Sequence, residues 1–160
     1  MHASWAYGES NLRKLKQPNQ ASCLPTAFAS VLDVDVDAIF AYLGHDGTER
    51  VWPEAQPPLC YRSFHIQEMY EYALTRNYAV TTLAPVRVTL PLGSDVTHTS
   101  ICEQFRDYLR YYMCVLTGLS NQGFIHAVSW DGKNMMNPSL GKFVDSDFTI
   151  NHIHIVTRIK

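Results

Sequence analysis

The sequence predicts an α+β fold, with amino-terminal helices packed on a carboxy-terminal antiparallel β-sheet. Three observations carry this. Apolar residues recur at helical spacing in the first half of the chain. Strand-like runs rich in β-branched and aromatic residues crowd into the second half. Helices and strands are therefore segregated, which argues against an alternating, doubly wound parallel fold.

The elements follow in order. Residues 23–32 form a compact apolar helix with Ala27, Phe28, Val31 and Leu32 on one side. Pro25 lies near its start, where N–H groups have no intrahelical partner. Asp35 or Asp37 can cap a helix over 38–43, which Gly44 stops. Residues 44–63 hold Gly, Pro and mixed charge without either period and read as a long surface loop. Ser63 can cap a helix over 66–76, with Ile66, Met69, Tyr70, Ala73 and Leu74 in one stripe. Residues 79–83 and 86–90 are strand candidates, with a second loop over 85–98. Thr99 or Ser100 can cap a helix over 101–111. Strands are predicted over 113–118 and 124–130. The latter ends at Asp131-Gly132, and 134–137 returns across a hairpin. Residues 151–159 alternate strictly, and His152 and His154 are expected as a surface-facing pair.

Composition narrows the function classes. The 160 residues are 46% hydrophobic and 18% charged, which excludes a wholly disordered chain and favours one domain over 1–160. A net charge of −2 leaves no basic footprint for nucleic acid and no attraction to an anionic membrane. No apolar run approaches the roughly 18 residues of a membrane span. The first residues hold no apolar signal core, so a cytoplasmic setting is expected. The four cysteines form no C-x-x-C pair, so reduced thiols are expected, with no metal and no cofactor. Cys60, Cys102 and Cys114 read as buried filler.

Cys23 differs, because it opens the first helix. The helix dipole and free N–H groups there favour an anion, so a lowered thiol pKa is expected. A thiolate is a nucleophile suited to covalent catalysis. Gln17, six residues earlier, can donate to an oxyanion formed on attack at a carbonyl. His126 lies in an apolar strand and can serve as base. Asn137 follows eleven residues later, across the hairpin, where its side-chain oxygen can orient the imidazole.

With Gln17 six before Cys23, a helix opening at Cys23, His-Ala-Val at 126–128 and Asn-Pro at 137–138, the chain resembles papain-like cysteine peptidases. The closest style is the compact, bacteriocin-processing C39-type branch. The resemblance implies a papain-like fold acting on a protein or peptide substrate. It implies Gln17 as oxyanion donor, Cys23 as nucleophile, His126 as base and Asn137 as orienter. The family spacing favours Gln17 over Gln20 and Asn137 over Asp131. The chain departs from the branch at Ser22 and Leu24, where an acidic residue and a glycine are usual. Two other readings share the pattern. One is acyl transfer to an amine, as in transglutaminase-like enzymes. The other is a catalytically idle module that binds a protein through the 44–63 loop. The pattern specifies no oligomeric state.

Overall fold

Helix α1 (Cys23–Leu32) is the centre of the architecture, because nearly every residue after Leu24 is buried. The computed structural model describes residues 12–84, 109–119, 124–144 and 149–160. Helix α2 (Val36–Leu43) begins two residues before the expected position 38, and Gly44 closes it at φ +77° as expected. Asp35 is at its N-cap position but makes no side-chain capping bond, and the Asp35 carboxylate accepts from Arg13 at 2.7 Å instead. Helix α3 (Ile66–Thr75) starts at Ile66 as expected, but its cap is not Ser63. His65 is its cap, and the Glu68 carboxylate accepts the His65 N–H at 2.8 Å.

Among the described residues the six strands are β1 (Tyr78–Leu83), β2 (Met113–Leu119), β3 (Ile125–Trp130), β4 (Met135–Asn137), β5 (Lys142–Val144) and β6 (Thr149–Arg158). They form one sheet in the order β1-β6-β2-β3-β4-β5, and every neighbouring pair is antiparallel. The protein is therefore α+β, with the predicted order of helices before most strands.

Strand periodicity divides the sheet into two apolar faces. Val115, Ala127, Met136 and Val156 pack against Ala27 and Phe28 of α1. The opposite face buries Cys114, Leu116, Val128, Ile153 and Ile155 with Leu109. Phe28 and Met136 are fully buried in the first of these clusters, and burial of each stabilises the fold by about 2–3 kcal/mol. One polar contact sets the height of the helix on the sheet. The Ser129 hydroxyl donates to the Ala27 carbonyl at 2.9 Å.

Residues 44–63 carry no helix or strand, as expected, but they are tightly moored. His45 donates from Nε2 to Glu68 at 2.9 Å and accepts the Gly47 N–H at Nδ1. Its ring stacks on Phe64 at 4.7 Å. Burial opposes the Glu68 charge, yet His45, the His65 N–H and Arg62 hold its pKa below the usual carboxylate range. The segment before α1 ties to the same loop. Ser63 Oγ donates to the Ala21 carbonyl at 3.2 Å, and the Asn19 amide donates to the Asp46 carbonyl at 3.1 Å.

Several expectations change. His154 does not face solvent: it is 3% exposed, beneath Phe28 and Tyr70. Its Nδ1 contacts Thr82 Oγ1 at 2.9 Å and its Nε2 contacts Thr117 Oγ1 at 3.0 Å. Only His152 of the pair is exposed. Alternation assigned both to one parity correctly, but that parity points to the helices over the middle of the strand. Strand β5 had no sequence signal, because three residues are too few to show a period. Cys60 and Cys114 are fully buried as expected, and burial pushes the Cys114 thiol up to about 12. Cys102, the strand expected over 86–90, the loop over 85–98 and positions 101–108 lie outside the described residues. Among the described residues, no helix is long and apolar enough to cross a membrane.

Candidate functional site

The end of β4 organises the site. Its ladder with β3 runs through Ser129↔Met136 and Trp130↔Met135, then meets Pro138, which has no N–H to continue it. The Pro138 carbonyl instead accepts the Gln17 N–H at 2.8 Å. That bond brings the segment before α1 to the end of the hairpin. Gly141 permits the approach: its φ is +65°, and a Cβ there would lie 3.0–3.3 Å from Lys16.

Asn137 is held in one rotamer. Its Oδ1 accepts the Ser139 N–H at 3.0 Å, an Asx-type turn. The same oxygen lies 2.8 Å from His126 Nε2. Because the Ser139 N–H marks that atom as the amide oxygen, Nε2 must be the donor. In the neutral imidazole the proton is then on Nε2, and Nδ1 carries the lone pair. This is the tautomer that can accept a thiol proton.

Cys23 is the first residue of α1 and is half-buried. The backbone N–H of Ala127, next to His126, points at its sulfur, as do those of Leu24 and Cys23 itself. These donors favour the thiolate, but burial outweighs them and the thiol pKa is raised. That reverses the expected lowering. A helix start lowers a thiol pKa only if the sulfur keeps enough solvation, and here the desolvation by burial is larger.

Gln17 is the fourth member. Its Nε2 donates to the Asn19 carbonyl at 2.9 Å, and its Oε1 lies 3.4 Å from Ser139 Oγ. The same hydroxyl lies 3.5 Å from His126 Nε2. Asn19 fixes the segment that carries Gln17. Its Oδ1 accepts the Ala21 N–H at 2.8 Å, and its carbonyl also receives the Ser22 hydroxyl at 3.0 Å.

Gln17, Cys23, His126 and Asn137 line one open cleft of about 570 Å³. Gln20, Pro57, Pro58, Phe124, Ile125, Ser139 and Leu140 complete its wall. The alternative carboxylate, Asp131, sits in the hairpin turn. Its Oδ1 accepts the Lys133 and Asn134 N–H groups at 2.9 and 2.6 Å. Gln20 lines the cleft beside Gln17 but is exposed. Asn19, Ser139 and the Pro57-Pro58 wall were not foreseen. The Asn-Pro-Ser run at 137–139 was the available signal for Ser139, since Asn followed two residues later by a free N–H is a turn former. Among the described residues, no group of three or more His, Cys, Asp or Glu side chains is arranged to hold a metal ion.

A thiol, an imidazole in the acceptor tautomer and an amide donor in one cleft can together form and break an acyl thioester. In comparisons with known proteins, no family model matches the chain and no curated protein is significantly similar to it.

Proposed function

We propose that the protein is a cysteine-dependent hydrolase that cleaves a peptide or isopeptide bond. The observation that carries this reading is the 2.8 Å bond from His126 Nε2 to Asn137 Oδ1 in the cleft that Cys23 also lines. The helix-on-sheet layout, with the thiol at a helix start and the imidazole on a strand, is consistent with a papain-like arrangement.

Cys23 Sγ attacks the substrate carbonyl as His126 Nδ1 takes the thiol proton. A neutral resting thiol is in keeping with the raised Cys23 pKa, so its deprotonation accompanies attack. The developing oxyanion is stabilised by the Gln17 side-chain amide and the Cys23 backbone N–H. His126 then protonates the leaving amine, and the C–N bond breaks to leave a thioester. Water, deprotonated by His126, hydrolyses that thioester and restores the thiol. Asn137 keeps the ring in the working tautomer throughout.

The test is hydrolysis of a diverse peptide mixture by the wild type, Cys23→Ala and His126→Ala. Cleavage by the wild type and loss of at least about 10³-fold in both variants is expected. Undiminished cleavage in either variant overturns the reading.

A further inference from the structure

The cleft walls differ along their length. Among the described residues no Asp, Glu, Lys or Arg lines the cleft. Ile125, directly before His126 on β3, is 78% exposed. Leu140, in the turn after Asn137, is 53% exposed and lines the same cleft. Leu119 pairs with Ile125 across β2 and β3 and is 42% exposed. Phe124 adds aromatic surface beside them. Aliphatic side chains this exposed, grouped at one rim, mark a binding surface more often than a packing accident.

The chemistry fixes which part of a substrate meets this rim. The proton from Cys23 reaches the leaving nitrogen through His126, so the leaving amine must lie against His126. Ile125, which precedes His126 on the same strand and lines the same cleft, therefore meets the chain that follows the scissile bond, whereas Ala127 on the other side is buried. We infer that the rim formed by Ile125, Leu140 and Leu119 is the subsite for the leaving-amine segment, and that it selects a large, uncharged apolar residue there. A charged residue would lose hydration in this uncharged wall and gain no partner. The assignment rests on the hydrolase reading proposed above and adds to it the side and the chemical class of substrate selected.

The test is a peptide library of randomised sequence, digested with the full-length protein, with cleaved bonds read by mass spectrometry. Cys23→Ala is the control for specific cleavage. Leu, Ile, Met and Phe are expected immediately after the cleaved bond at least about 10-fold more often than Asp, Glu, Lys and Arg. Ile125→Glu is expected to reduce that preference about 10-fold, and Leu140→Glu, on a separate turn, to do the same if the first variant does not fold. Cys23-dependent cleavage with no apolar preference, or with preference unchanged in both folded variants, overturns the subsite and leaves the hydrolase reading standing. No Cys23-dependent cleavage at all overturns both.

Discussion

His126 Nε2 and Asn137 Oδ1 are joined at 2.8 Å across a β-hairpin, by residues eleven positions apart in the chain. The hairpin register sets the relationship. Asp131 gathers the turn N–H groups, and Gly132, at φ +96°, fits against the Arg110 carbonyl, which a Cβ there would strike. Strands β3 and β4 leave that turn in fixed alignment, and both side chains emerge at the cleft. Asn137→Ala is expected to free the ring and to lower kcat/KM about 100-fold, with little change in the circular dichroism spectrum. Steady-state kinetics on a cleaved peptide checks this, and a loss under about 3-fold contradicts it.

Gln17 is held to the hairpin by its backbone and to Asn19 by its side chain. If its amide stabilises an oxyanion, Gln17→Ala lowers kcat by about 10²-fold or more and leaves KM nearly unchanged. Gln20→Ala serves as the comparison, with a much smaller loss in kcat expected. A rise in KM at constant kcat would assign Gln17 to substrate binding instead.

Desolvation raises the Cys23 thiol pKa against three backbone donors. Alkylation of Cys23 by iodoacetamide is therefore expected to climb steadily from neutral pH into the alkaline range. A preformed thiolate–imidazolium pair would instead give a reactive plateau reaching down to about pH 5. Rates measured at the Cys23 peptide by mass spectrometry separate the two, and such a plateau contradicts the neutral resting thiol.

His154 is buried between α1, α3 and the sheet, and burial, with the neighbouring His152 charge, lowers its pKa to about 4. In the unfolded chain its pKa is about 6.5. The unfolded state therefore takes up the proton first on acidification, so stability falls as pH drops from about 6.5 towards 4. The full effect is about 3 kcal/mol. Urea unfolding across this range is expected to show that loss in the wild type, with a much flatter dependence in His154→Gln. An equal slope in the variant assigns the acid sensitivity elsewhere.

Legibility varied with the length of the signal. Helix α1 was readable to the residue, because ten consecutive positions carry one helical pattern ending in a polar stop. The His126–Asn137 contact was readable because Asp-Gly marks the turn, and the return that puts Met136 opposite Ser129 brings Asn137 to the same face as His126, one diagonal away. His154 was misjudged as surface-facing because alternation gives parity but not which face is covered. The direction of the Cys23 shift was misjudged for a related reason. The helix start is local and visible in sequence, whereas the desolvation comes from tertiary burial, which leaves no local sequence signal. Asn19 and Ser139 act through single hydrogen bonds to residues near and far, and such bonds leave no period in a sequence.

The most direct test of the central claim is the rate at which a peptidyl electrophile modifies each thiol of the native protein. An electrophile that mimics the scissile carbonyl is expected to label Cys23 at least about 10²-fold faster than Cys60, Cys102 or Cys114, and His126→Ala is expected to abolish that advantage. Labelling of Cys23 no faster than the other three thiols, or as fast in folded His126→Ala, would contradict a nucleophile activated by His126.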